Sequence, residues 1–302
     1  MLSGSVDVSV KQFFDWLQPG SSATTSELIL DLRSPRALSA LTVGALLAGA
    51  GTLMQVLLRN PLADPYIMGV SGGAAVATML AMLFSATGIW LSGSAFVGAF
   101  IAIALVFVIA RGQGNWTPTR LLLTGVILAF GWAALISFIL AISPAMQLRG
   151  MLYWLMGDLS GATMPYAGIV ILVITSVVML PLLRQLNVLL LGDDQASSLG
   201  IHTRRAQIIL FTIASLMTAT AVTIAGSVGF VGLVIPHLIR LTGINDHRLL
   251  FPASVCAGAS LLCIADTLSR TMLAPIQLPV GVLTALLGVP LFLYLLYRDR
   301  SL

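Results

Sequence analysis

The sequence predicts an all-α fold, a polytopic helical membrane protein of about nine spans in a single transmembrane domain covering residues 1–302. Three observations predict it. Hydrophobic residues make up 58% of the chain and charged residues only 9%, against roughly 25% charge in a soluble domain. The apolar segments repeatedly reach the ~20 residues a helix needs to cross a bilayer. They are also continuously apolar, whereas a β-barrel would alternate along short strands.

The spans read at about 37–58, 69–87, 91–110, 121–141, 165–183, 206–225, 229–241, 249–270 and 280–297. The seventh is short enough to be a half-helix. Small residues recur along these segments, as at Gly44 to Ala48, Gly49 to Gly51, Gly72 to Ala75 and Gly226 to Gly229. Close helix approach in lipid depends on such residues, so a tightly packed bundle is expected. Residues 1–34 are more polar and include Pro19 to Ser22. They read as an extracytoplasmic segment with a short amphipathic helix at 9–17. Met1 to Gln18 is too mixed in polarity for a cleavable signal peptide.

Orientation follows from the basic residues, which concentrate on the cytoplasmic side. With the N-terminus outside, the inner set is Arg59, Arg111, Arg120, Arg184, Arg204, Arg205, Arg240, Arg248, Arg298 and Arg300. The outer set is Lys11, Arg33, Arg36, Arg149 and Arg270. Ten against five favours an external N-terminus and a cytoplasmic C-terminus. The net charge of +4 is therefore a topology signal rather than a nucleic-acid surface.

Several chemistries are excluded. A P-loop needs the lysine of G-x-x-x-x-G-K-[ST], and the only lysine is Lys11. The constellations H-E-x-x-H and C-x-x-C do not occur. His202, His237 and His247 fall at the cytoplasmic side without a second ligand at metal spacing. Cys256 and Cys263 share one span and read as buried small apolar residues. An ion-coupled carrier needs ionisable residues within its spans and inverted repeats, and neither is legible. Asp266 and Arg270 come nearest, four residues apart near the outer end of the eighth span. They read either as a local ion pair closing the helix or as a charge presented to an external partner.

Five stretches, in order, carry a resemblance. They are Leu32-Arg-Ser-Pro-Arg36, Arg59-Asn-Pro-Leu-Ala-Asp-Pro-Tyr-Ile-Met-Gly-Val-Ser-Gly-Gly-Ala74, Met151-Leu-Tyr-Trp-Leu-Met-Gly157, Leu191-Gly-Asp-Asp-Gln-Ala-Ser-Ser-Leu-Gly200, and Gly229 to Arg240 running into Asp246-His-Arg248. From Leu32 onward the chain resembles the FecCD-type permease subunits of ABC importers for iron chelates, haem and vitamin B12. The resemblance implies a pair of copies around a central pathway, two ATP-binding cassette subunits that carry ATP and Mg, and a periplasmic substrate-binding protein. The setting it implies is the bacterial inner membrane, with lipid around the bundle, no nucleic acid, no cofactor in this chain and no enzymatic activity of its own.

The resemblance also implies site residues. Asn60 and Leu62, with Thr119 from the loop before the fourth span, would form a cytoplasmic gate; Asn60 could equally cap a helical turn. Gly192, Asp193, Leu199 and Gly200 would mark an ATPase-coupling loop over 188–205, folded as two short helices. Arg33, Arg36 and Arg270 would dock the binding protein, against the alternative of snorkelling to lipid phosphate. Arg149, Met151 and Tyr153, in an outer loop before the fifth span, could line the pathway opening. An arginine there suits the carboxylates of haem, so haem is the expected cargo, with cobalamin or a ferric siderophore as alternatives. Family members usually have ten spans. Gly4-Ser-Val-Asp-Val-Ser resembles the segment that follows their first, so that span is expected to be missing here, through an internal start or its loss in this lineage.

Overall fold

A computed structural model of the protein describes residues 28–111 and 117–298. The amphipathic helix expected at 9–17 lies outside them. Among the described residues the regular structure is entirely helical. A π-helical turn at Leu28–Arg33 leads into α1 (Ser34–Leu57), followed by a 3-10 turn at Pro65–Met68, α2 (Val70–Leu83), α3 (Ile89–Arg111) and α4 (Pro118–Ile142). After α5 (Ala145–Leu155) come α6 (Tyr166–Met179), a 3-10 turn at Leu180–Leu182, α7 (Leu183–Leu189) and α8 (Asp193–Ser198). The chain closes with α9 (Thr203–Ala225), α10 (Val231–Leu241), α11 (His247–Thr271) and α12 (Val280–Arg298). Six helices are long and apolar enough to cross a membrane, and α2, α10 and α12 supply three shorter apolar ones. The nine expected spans are thus all present as apolar helices, and the seventh is the short one.

Helix α1 occupies the centre, with 83% of its apolar window buried. It runs antiparallel to α11 and α9. Arg36 meets Asp266 and Gly44 meets Gly258, while Thr42 lies level with Ile224 and Gly49 with Met217. The contacts are backbone on backbone. A Cβ at Gly44 would fall 2.2 Å from the Gly258 carbonyl oxygen, and one at Gly51 would fall 1.9 Å from that of Gly232. Without a hydrophobic force between helices in lipid, this proximity is what maximises their dispersion contact.

Two segments break the helical regularity and fold back into the bundle. After α1 the chain passes Asn60 and Asp64 and returns, placing Pro65 against Gly232, which itself lies beside Leu47. After α9, residues Gly226 to Phe230 descend to start α10 at the same level. There the Tyr66 hydroxyl accepts a hydrogen bond from the Val228 N–H at 3.2 Å. Beside it, Asp158 N–H donates to Ala225 O and Gly281 N–H to Gly157 O. Non-helical backbone is tolerated at depth only with such partners.

An inverted relation, not legible in the sequence, follows from these directions. On the orientation expected from the basic residues, helices α1 to α4 run inward, half outward, inward and outward. Helices α9 to α12 show the same order of a long helix, a half-helix and two further helices, with every direction reversed. The polar side chains inside these helices mostly look after themselves. The hydroxyls of Thr52, Thr78, Thr218 and Thr220 each donate to the carbonyl four residues earlier. Cys256 is exposed and Cys263 half-buried, both free, so the expectation that both are core residues fails for Cys256.

Replacing Gly51 by Val should force α1 and α10 apart, at a cost of about 1–3 kcal/mol. Thermal unfolding in detergent should show a clear fall in midpoint. Gly93→Ala, where a Cβ meets open space, should leave the midpoint unchanged.

Candidate functional site

The end of the bundle expected to face the cytoplasm gathers the residues expected to gate and to couple. Helix α1 ends in a Schellman turn, with Arg59 N–H donating to Val56 O at 3.2 Å and Asn60 N–H to Gln55 O at 3.1 Å. Arg59 sits in the left-handed position at φ 47. Asn60 then shapes the loop, its Oδ1 accepting from Leu62 N–H at 2.9 Å and its carbonyl from Ala63 N–H at 3.1 Å. The turn-forming role weighed for Asn60 is real, and it fixes the position of half-buried Leu62. Thr119 is exposed in the first turn of α4 rather than in a loop. Helix α4 meets the returning segment further up, where Gly125 packs against Ile67.

Of the two short helices expected over 188–205, one, α8, lies within the stretch; α7 ends at Leu189 and joins it through Leu190 to Gly192. Gly192 opens α8 at φ 113 and Gly200 follows it at φ 82. Ala196 is buried against the bundle, while Leu199 is 65% exposed. The Asp193 carboxylate accepts from Arg59 and, at 3.1 Å, from Gln207 Nε2. Asn187 ties α7 to the start of α11. Its Oδ1 takes the His247 N–H at 3.0 Å and lies 2.6 Å from the ring Nδ1, while its amide donates to Asp246 at 2.8 Å. Hydrogen bonds from Arg248, then from its backbone N–H and from Asn187, hold the Asp246 carboxyl well below the usual carboxylate range.

The opposite end, expected to face outward, holds the arginines expected to dock a partner, and they are not free surface charges. Arg36 is 9% exposed and Asp266 1%. The Arg36 guanidinium reaches Asp266 Oδ1 from Nε and Nη2, both at 2.9 Å, and donates from Nη1 to Gln277 Oε1 at 2.7 Å. Arg270 Nε adds a contact to Oδ2 at 3.1 Å. One carboxylate therefore serves two guanidiniums and locks α11 to α1. Arg33 is buried beside the start of α1. The local ion pair weighed for Asp266 and Arg270 is present, with Arg36 as its larger member.

Arg149 and Tyr153 lie on α5, which is a helix and not the loop the sequence suggests. Proline at its N-cap and an apolar face that packs on α2 and α4 account for it. Arg149 stacks over the Tyr153 ring at 5.5 Å. Both line an outer cavity of about 580 Å³ with Met82, Trp154 and Asp158. Met151 does not belong there. It is fully buried, packed with Met79 and Ile139 and contacted by the Ser143 hydroxyl. Sequence reasoning missed Arg59, Asn187 and the Arg36–Asp266 link. The last spans 230 positions, and no local pattern reports a contact of that range. Among the described residues no cluster of His, Cys, Asp or Glu could hold a metal.

A centrally buried helix, five further helices long and apolar enough to cross a membrane and three shorter apolar ones define a multi-span membrane protein. The chain belongs to the FecCD transport family, whose model matches residues 1–298. It is 44% identical over 282 residues to the hemin transport system permease protein HmuU of Yersinia pestis, covering 90% of this chain and 84% of the relative. It is 42% identical over 288 residues to the cobalamin import system permease protein BtuC of Halobacterium salinarum, covering 94% and 77%. Among solved structures it is similar to a metal-chelate type ABC transporter in an inward-facing conformation, with TM-score 0.85, 33% identity and coverage of 97% and 92%. PsaBC from Streptococcus pneumoniae shares the fold at TM-score 0.61 and 16% identity.

Asp266→Ala leaves the Arg36 charge buried without its partner and should cost about 3–5 kcal/mol. The double change Arg36→Met with Asp266→Leu should recover most of that loss. Thermal unfolding of the three proteins in one detergent compares them directly.

Proposed function

We propose that this chain is the transmembrane permease subunit of an ATP-driven importer that carries a metal chelate, haem first, across the cytoplasmic membrane into the cell. Membership of the FecCD family over almost the whole chain carries the reading. Two copies would face each other across the pathway, with two ATP-binding cassette subunits below and a substrate-binding protein above. ATP and Mg would belong to the cassette subunits, and this chain would supply movement rather than catalysis.

The site residues take roles accordingly. Leu199 and the flanking Gly192 and Gly200 present α8 to the ATPase, with Asp193 anchoring it from behind. Closure of the ATPases then shifts packed helices as rigid bodies, opening or closing the loop of Asn60 and Leu62 against Thr119. At the outer face the buried pair Arg36–Asp266 fixes the rim, and Arg33, Arg36 and Arg270 would meet acidic residues of the binding protein. Such charges set encounter rate and register more than affinity. Arg149 in the outer cavity suits a carboxylate-bearing ligand such as haem, held against Tyr153 and Trp154, while Met151 on the buried face of α5 anchors that helix against Met79 and Ile139.

Cobalamin is the second reading, favoured by relatives such as the vitamin B12 import system permease protein BtuC of Vibrio cholerae, 40% identical over 293 residues. Uptake into proteoliposomes containing the permease, its ATPase and its binding protein separates the two. ATP-dependent accumulation of haem and not cobalamin is the expected result. The reverse selectivity makes the chain a cobalamin permease. A ferric siderophore is indicated if neither is taken up while the binding protein still stimulates ATP hydrolysis.

A further inference from the structure

The gate loop and the coupling helices meet at one side chain. Arg59 is the residue immediately before Asn60, and its guanidinium sits at the junction of α7 and α8. Nε donates to the Leu189 carbonyl at 3.3 Å, at the C-terminal end of α7. Nη2 pairs with the Asp193 carboxylate in the first turn of α8. A cation suits a helix C-terminus, where unpaired carbonyls collect, so one charge reads both helices of the coupling segment. The backbone carrying it argues that the side chain is the reason for its presence. Position 59 is the left-handed C′ residue of the α1 Schellman turn, a place where glycine is preferred. An L-residue there costs about 1–2 kcal/mol. A strained residue retained beside a gate is grounds for a functional hypothesis.

Resting on the gate and coupling roles proposed above, we infer that Arg59 is a positioning residue that transmits displacement of α7 and α8 to the gate loop. The bridge is partly exposed, with the side chains of Arg59 and Asp193 at 31% and 44%. It therefore adds little stability, and its value is mechanical. When the ATPases draw α8 aside, the Leu189 carbonyl and Asp193 pull the guanidinium. Asn60, one peptide away, carries Leu62 through the 2.9 Å bond to its N–H. Gln207 holds Asp193 from the α9 side, so the carboxylate stays oriented toward Arg59 as the segment moves.

The decisive variant is Arg59→Gly, which removes the side chain while relieving the left-handed backbone. In proteoliposomes containing the assembled transporter, R59G should match or exceed the wild type in thermal midpoint. Its ATP hydrolysis should stay within twofold, while uptake per ATP hydrolysed falls tenfold or more. Arg59→Lys, able to make one of the two contacts, should fall between. Uptake per ATP within twofold of wild type in R59G overturns the inference. So does a parallel loss of assembly, hydrolysis and uptake, which would make Arg59 a structural residue only. A wild-type complex lacking ATP-dependent uptake of any chelate would overturn the permease reading itself, an outcome distinct from the R59G result.

Discussion

The constraint on which the structure depends is the absence of water from the bundle. Every backbone polar group inside must find a partner within the chain, and helices cohere only by close approach. Helix α1 answers the second demand with glycines set against the backbones of α10 and α11. The first is met where the helices break. The Tyr66 hydroxyl, the Ala225 and Gly157 carbonyls and the Asp64 carboxylate, which caps the Pro65–Met68 turn at 2.7 Å, take up the freed N–H groups.

Charge is handled by the same economy of partners. Asp266, Arg36, Arg270 and Gln277 form a closed cluster at the outer end. At the inner end Arg240 reaches the Gln55 side-chain oxygen, and the Gln55 amide donates to the Leu233 carbonyl at 3.2 Å. Helix α1 is therefore fastened near both ends by polar contacts and along its length by glycine. Packed interfaces of this kind switch between discrete arrangements rather than deform continuously, which is what the proposed rigid-body movement requires of its neighbours.

Most of this fold was legible in the sequence because hydrophobic length is a strong local signal. All nine apolar segments were placed within a few residues, including the short one at Val231–Leu241. What stayed hidden depends on contacts between distant positions. The return of residues 59–69 into the bundle is set by Pro65 on Gly232, and the burial of Arg36 by Asp266. Helix α5 was read as a loop because eleven residues with Arg149 and Gln147 are too short and polar to register as a span. Met151 consequently looked exposed when it is fully buried. Arg59 lay inside the most specific motif but drew no attention, since nothing in its neighbours declares a left-handed backbone.

Helix α11 has a consequence of its own. Asn187 grips its first turn and Asp266 holds Arg36 and Arg270 some five turns further on, so one rigid rod of ~37 Å joins the two faces of the membrane. A ligand that prefers one setting of the outer end must prefer the matching setting of the inner end. Linkage makes that preference mutual. On the permease reading proposed above, if a protein seated outside changes nucleotide affinity inside by some factor, nucleotide must change the seating of that protein by the same factor, and the rod would give both sites a single free-energy difference to share.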